Sequence, residues 1–330
     1  MIRSSAPTRI DLAGGTLDIW PLYLLLDCPP TINAAINLYA TVELKPAKGR
    51  AVLIESLDLG LKQRFSSIQA LPDRHPLDLI IRIIRFYKPA TGLTVVTNCQ
   101  APAGSGIGGS SALNIALNGA FNRLTGRRYD GRQLIEIAKN IETQVIKVPA
   151  GLQDYYPALY GGVQSIRPGV LGVALEKIPV DLAALNDRFV LCYTGKPRQS
   201  GINNWKVLKR AIDGDQSVLR QLTRIKNAAV KIEGVLKKGT LAGFSPLFNE
   251  EWQARKALAP GISVPQMERL IKAALRHGAL SAKVCGAGGG GCIAFFVRTG
   301  FKEKVAEELT RLGGRVLPFK FVRRGLRVSG

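Results

Sequence analysis

The densest chemistry-bearing stretch of the chain is Pro102-Ala103-Gly104-Ser105-Gly106-Ile107-Gly108-Gly109-Ser110-Ser111-Ala112. Glycines let a main chain approach a ligand closely, and a helix beginning just beyond offers open N–H groups and a positive dipole end, so this loop is suited to cradle phosphate. Glu142 and Asp154 follow, twelve residues apart across the break at Pro149 and Gly151. Magnesium takes one or two carboxylates together with phosphate oxygens and water, and Ser110 beside the loop adds a hydroxyl to that set. Near the N-terminus, Arg9 precedes Gly14, Gly15 and Asp18. It is placed either to steer a carboxylate or transferring phosphoryl group, or to sit as an exposed strand charge. A second glycine run, Lys283-Val284-Cys285-Gly286-Ala287-Gly288-Gly289-Gly290-Gly291-Cys292, is costly in backbone entropy and reads as a close approach to a ligand.

Other chemistries fit less well. Gly104, Gly106 and Gly109 satisfy a dinucleotide-binding spacing, but that fingerprint needs a strand after the helix, and a second helical pattern follows here. Gly104 to Gly109 has the glycine spacing of a P-loop, yet Ser110 stands where the lysine belongs. Only His75 and His277 are present, which leaves little for a histidine triad or metal cage. The five cysteines are scattered with no metal-ligand spacing, and are expected to be reduced thiols.

The elements around these motifs are legible from periodicity. Ala34 to Leu44 and Ala51 to Ile54 read as strands, Leu77 to Tyr87 as a buried helix, and Leu93 to Thr97 as a strand feeding the glycine loop. Leu113, Leu117, Phe121 and Leu124 then recur at helical spacing up to Gly126, and Asp130 with Gln133 opens a second helix as a capping box. Tyr160 to Ile166 and Phe189 to Tyr193 read as strands, Val218 to Leu236 and Val264 to Leu275 as amphipathic helices, and Cys292 to Val297 as a closing strand. The 330 residues are enough for two lobes, with a boundary expected at residues 1–185 and 186–330. Lys and Arg number 46 against 24 Asp and Glu, a formal charge of +22, but no run of five or six like charges occurs and aromatics are only 7%. Nucleic acid is therefore not the expected partner. No apolar run approaches the roughly 18 to 20 residues of a membrane span, and no signal peptide is visible, so a cytoplasmic protein with no membrane partner is expected.

Taken in order, the four motifs resemble the GHMP kinase superfamily, which includes galactokinase, homoserine kinase, mevalonate kinase and phosphomevalonate kinase. Its pattern P-x-x-x-G-L-G-S-S-A is met by Pro102 through Ser111, with Ile107 for Leu, Gly109 for the first Ser and Ser111 for the Ala. The branch of sugar-1-kinases that holds heptose 7-phosphate kinase and fucokinase is the most similar. The likeness runs through Gln153-Asp154-Tyr155-Tyr156, Tyr160-Gly161-Gly162, Tyr193-Thr194-Gly195 with Arg198 and Ser200, and Glu251-Trp252 with Lys256. That branch usually reads AGGGTD where this chain has Ala13-Gly14-Gly15-Thr16-Leu17-Asp18, and the GEHTDY of galactokinase is absent.

The resemblance implies an α+β, two-lobed GHMP kinase fold, with a ribosomal protein S5 domain 2-like N-terminal lobe that binds ATP and a ferredoxin-like α/β C-terminal lobe. It implies transfer of the γ-phosphoryl group of ATP to a hydroxyl of a sugar or sugar phosphate, or, as the alternative, of a non-sugar hydroxy acid in the manner of a mevalonate kinase. Pro102, Gly104, Ser105, Gly106, Ile107, Gly108, Gly109, Ser110 and Ser111 would surround the ATP phosphates, and Ser110 with Glu142 would bind Mg²⁺. Asp154 would accept or orient the substrate hydroxyl proton, with Arg9 keeping it ionised and stabilising the transferring group. Asp18, Gly151, Gln153, Tyr160, Arg198, Gly286, Gly288 and Gly289 would shape the substrate site, with Lys196 and Lys256 as further candidates for a substrate phosphate. The protein would work as a monomer or homodimer.

Overall fold

A computed structural model describes residues 1–197 and 202–330. The chain opens with β1 (Ile2–Ala13) and, after the short helix α1 (Leu22–Leu25), the long strand β2 (Thr31–Ala47). These two pair antiparallel, with register shifts at Pro7/Thr8 and Asp11/Ala13. The first falls where proline has no N–H to give the ladder. Beyond it the Arg9 N–H donates at 3.0 Å to the carbonyl of Ile107 in the glycine loop, so the strand edge itself seats the loop.

Strands β3 (Val52–Ser56), β4 (Leu61–Phe65) and β5 (Gly92–Cys99) extend the sheet in the order β1-β2-β5-β3-β4, with β3 and β5 parallel. Its inner face is covered by α2 (Asp78–Tyr87), α3 (Gly109–Thr125), α4 (Gly131–Ile146) and α5 (Tyr155–Tyr160). The Asp130 and Gln133 capping box forms at the start of α4, and Gly126 closes α3 in the left-handed conformation. One expectation fails locally. Tyr160 ends α5, and the strand β6 (Val163–Gly169) begins only after Gly161 and Gly162, both at positive φ. Tyr160 completes the helical turn that buries Tyr156, Pro157 and Ala158 against the core, so the strand can start only after the glycine pair.

β6 pairs with β2 and with β7 (Gly172–Ile178). α6 (Leu182–Arg188) leads to a second sheet, β11-β8-β10-β9, built from β8 (Phe189–Tyr193), β9 (Ala279–Val284), β10 (Cys292–Val297) and β11 (Arg315–Val316). Around it lie α7 (Ile202–Ile212), α8 (Gln216–Lys237), α9 (Phe244–Lys256), α10 (Pro265–Arg276) and α11 (Lys302–Arg311). The C-terminal strand β12 (Arg327–Ser329) returns to the first sheet and pairs with β1. A shared apolar core joins the two sheets, with Ile10 and Leu12 of β1 packed with Phe189, Phe244, Phe248 and Phe296. The two-lobed α+β expectation therefore matches the structure, and a continuous core fixes one lobe against the other. No helix among the described residues is long and apolar enough to cross a membrane.

Candidate active site

The glycine loop and the start of α3 form the wall of a cavity of about 830 Å³. Gly108, at φ 77°, is the N-cap of α3, and no side chain caps the helix. The first N–H groups of a helix lack intrahelical partners, so this end is left open to an anion. Glycine is required here: the backbone is left-handed, and a Cβ would sit 3.4 Å from the Asp154 carboxyl carbon. Pro102, Gly104, Ser105, Gly106, Gly108, Gly109, Ser110 and Ser111 line the cavity, whereas Ile107 points into the core and offers only its carbonyl, to Arg9.

Arg9 is 1% exposed and makes an ion pair through Nη2 with Asp154, while Nη1 donates to the Gly106 carbonyl at 2.7 Å. One guanidinium thus fixes the glycine loop and the carboxylate relative to each other. Burial alone would lower the Arg9 pKa, but Asp154 and then Asp11 more than offset it and leave it above the ordinary value. The exposed-strand alternative for Arg9 is excluded by its burial.

Asp154 also lies 3.5 Å from the Ser111 hydroxyl, which donates to Glu142 Oε2 at 2.9 Å. Tyr155 donates its phenol to the same Glu142 oxygen at 2.8 Å. Burial pushes the Glu142 carboxyl above its usual range; the Tyr155 bond opposes the rise and Asp154 adds to it. The sequence pairs Glu142 with Ser110, whose hydroxyl, exposed at the cavity rim, also opposes the rise at Glu142, while Ser111 is the buried hydroxyl that donates to Glu142 and lies beside Asp154. The sequence also gives Tyr155 no role of its own. Its only signal is adjacency to Asp154, because the contact needs the turn of α5 to point the phenol back at α4. No group of three or more His, Cys, Asp or Glu forms a metal cluster among the described residues. Two carboxylates beside a serine hydroxyl, at the wall of the cavity faced by the open start of α3, do fit the donor set that magnesium takes when phosphates complete its shell.

A smaller cavity of about 100 Å³ opens on the other side of the same groups, lined in part by Thr16, Asp18, Gly151, Gln153, Asn204 and Gly286. Ser111, Glu142 and Asp154 line both cavities. Asp18 is 1% exposed and accepts from the N–H groups of Leu152 and Gln153, the latter at 2.8 Å. Burial raises its pKa to about 6, with the Gln153 N–H opposing the rise and the Asp154 charge adding to it. Neither Asp18 Oδ1 nor Gln153 Oε1, both buried, has a hydrogen-bond partner among the described residues. Gly151 carries no side chain because a Cβ would fall on the Asp18 carboxylate.

Other expected substrate residues lie elsewhere. The Tyr160 hydroxyl packs against Gly131 at the head of α4 and lines neither cavity. Gly288 and Gly289 turn onto Ile262, whose carbonyl accepts the Gly289 N–H at 2.9 Å. Gly291 presses against the Ser105 carbonyl, where a Cβ would come within 2.6 Å. Much of the second glycine run therefore approaches protein backbone, and Gly286 and Ala287 alone of it line the smaller cavity. Lys256 is paired at the surface with Glu268 at 3.2 Å, and Lys196 is exposed outside both linings. Arg198 and Ser200 lie outside the described residues.

Comparison with known proteins agrees with this geometry. Residues 78–162 match the GHMP kinases N terminal domain and residues 232–314 match GHMP kinases C terminal. A relative from Campylobacter jejuni, D-glycero-alpha-D-manno-heptose 7-phosphate kinase, is 28% identical over 335 residues, spanning 99% of this chain and 98% of its own. A mevalonate kinase from Thermococcus sibiricus is 26% identical, spanning 99% of this chain and 98% of its own. The solved structure of a D-glycero-D-manno-heptose 1-phosphate kinase from Bacteroides thetaiotaomicron superposes with a TM-score of 0.81 at 26% identity, covering 100% of this chain and 99% of that one. With both characteristic domains matched and both lobes superposed over the full length, the chain belongs to the GHMP kinase family.

Proposed function

We propose that the protein transfers the γ-phosphoryl group of ATP to a hydroxyl of a sugar or sugar phosphate, with the heptose 7-phosphates of its relative as the foremost acceptors. The observation that carries this reading is the meeting of a large anion-suited cavity and a small polar one at Asp154, Glu142 and Ser111. The phosphate chain of ATP is held at the open N-terminus of α3, and the acceptor hydroxyl stands in the smaller cavity beside Asp154. Glu142 with Ser111 or Ser110 would hold magnesium, which would supply charge neutralisation on the phosphates when bound. Asp154 accepts the hydroxyl proton or orients it, and Arg9 places that carboxylate against the phosphate loop. Phosphoryl transfer needs little covalent help, so this positioning and the surrounding charge account for most of the acceleration. In this reading residues 1–185 supply the donor site, and 186–330 add Asn204, Gly286 and Ala287 to the acceptor cavity.

The smaller cavity favours the polyol end of an acceptor over a carboxylate, and the phosphate of a sugar phosphate would lie outside its lining. Among its described lining residues Arg9 is the sole cation, and it is already committed to Asp154 and Gly106. Asp18 and Gln153 instead present buried oxygens that accept from hydroxyls. Phosphorus NMR of the product from Mg·ATP with heptose, heptose 7-phosphate or mevalonate tests this. A new phosphate ester on a sugar supports the proposal. Turnover confined to mevalonate would replace it with the hydroxy-acid alternative.

A further inference from the structure

Behind the smaller cavity lies a buried group of four charges that the phosphoryl-transfer scheme leaves unused. Asp11 on β1, Glu251 and Arg255 on α9 and Lys283 on β9 have side chains no more than 2% exposed. Lys283 Nζ lies 2.8 Å from Asp11 Oδ1 and 3.2 Å from Glu251 Oε1, and Arg255 Nη2 lies 2.5 Å from Glu251 Oε1 and 3.6 Å from Asp11 Oδ2. Burial would raise the Asp11 pKa, but Lys283, Arg255 and Arg9 together hold it below its ordinary value. Two cations thus answer two anions. Such a buried set stabilises a fold little better than apolar packing of the same volume, so stability alone does not explain it.

Arg255 directs its remaining donors at the loop that carries Asp18. Nη1 donates to Thr16 Oγ1 at 3.0 Å and Nη2 to the Gly15 carbonyl at 2.8 Å. Thr16 has φ 74°, a left-handed conformation that is strained for a β-branched residue. It occupies the position of the third glycine in the branch pattern AGGGTD, where no such strain would arise. Two residues further on, Asp18 accepts from the N–H groups of Leu152 and Gln153, directly before Asp154. We propose that Arg255 is a positioning residue whose guanidinium fork holds the Gly15-Thr16 turn and thereby sets where Asp18 stands toward the acceptor. The inference rests on the smaller cavity being the acceptor site. A lysine at 255 keeps the charge balance but cannot reach Glu251 and both loop oxygens at once.

The test compares the wild-type protein with Arg255→Lys and with Glu251→Gln/Arg255→Met, which removes one charge of each sign and leaves Asp11 paired with Lys283. In hydrogen exchange without substrate, both variants are expected to exchange at least about tenfold faster over residues 14–20 and at the amides of Leu152 and Gln153, with α3 unchanged. Wild-type exchange at those sites, or a rise spread evenly over both lobes, would overturn the proposal. In kinetics with heptose 7-phosphate, Arg255→Lys is expected to raise the acceptor KM about tenfold or more and leave the ATP KM within about twofold. A fall in kcat at unchanged acceptor KM would also overturn it. If the wild type does not turn over that acceptor, the acceptor reading fails, while the exchange at 14–20 and 152–153 still decides whether Arg255 holds the turn.

Discussion

Asp18 and Asp154 sit on two sides of one small cavity in different surroundings. Asp154 faces Arg9, whereas Asp18 is held by backbone N–H groups and burial, with a pKa raised to about 6 from 3.8. If its carboxylate receives acceptor hydroxyls, protonation below about pH 6 removes an acceptor oxygen. The acceptor KM is then expected to climb up to about tenfold per unit as pH falls below 6 and to be flat above, with the ATP KM unaffected. Asp18→Asn should erase that limb, and a pH profile of both constants checks it. Stability runs in the opposite sense. The folded state binds this proton more tightly than the unfolded chain, so the Asp18 contribution is full below about pH 3.8 and is lost as pH rises to about 6, on the order of 3 kcal/mol. At this scale the carboxylates and Arg9 are legible from residue type and spacing alone. The burial of Ser111 beside an exposed Ser110 is not, because adjacent residues near a helix start point about 100° apart and only the register of α3 against α4 sets which is covered.

Each glycine-rich element packs on a partner distant in sequence. The first run lines the large cavity, whereas the second, expected to approach a ligand, packs at Gly288, Gly289 and Gly291 on Ile262 and Ser105; composition does not say what approaches. Gly291, at φ 87°, meets the Ser105 carbonyl, and the Cys292 N–H donates to that carbonyl at 2.7 Å, so β10 and the first glycine loop brace each other. Gly291→Ala is expected to cost about 2 kcal/mol or more from left-handed strain and overpacking, and to raise the ATP KM as the loop shifts. Urea unfolding and initial-rate kinetics measure the two effects. The helix α3 teaches a related lesson. Its apolar spacing marks Leu117 and Phe121, yet Asn114 and Asn118 are buried as well. Asn114 donates to the Ala138 carbonyl at 2.8 Å, and Tyr87 donates to Asn118 Oδ1 at 3.0 Å. A helix packed against a sheet and other helices has more than one inner face, and a single amphipathic stripe understates it.

Across the whole molecule the two lobes are joined by an aromatic core and by the Asp11, Glu251, Arg255 and Lys283 group. That group is invisible in sequence because Lys283 and Asp11 are 272 positions apart, and no local period links them. Lys283→Met leaves two buried anions against one cation and is expected to destabilise the protein by about 3–5 kcal/mol, whereas Asp11→Asn/Lys283→Met should cost much less; denaturant titration separates the two. The fold class was legible because strand, glycine loop and paired helices each carry local signals. The return of β12 to the first sheet was not, since three residues of edge pairing leave no pattern. The large and small cavities meet at Asp154, and their proposed use as donor and acceptor sites turns on that carboxylate. That use is tested most directly by ADP release from Mg·ATP with a heptose phosphate acceptor, comparing the wild type with Asp154→Asn. A fall in kcat of about 10²- to 10⁴-fold at nearly unchanged KM values is expected for the loss of a proton-accepting group. A kcat within twofold of the wild type would contradict the account.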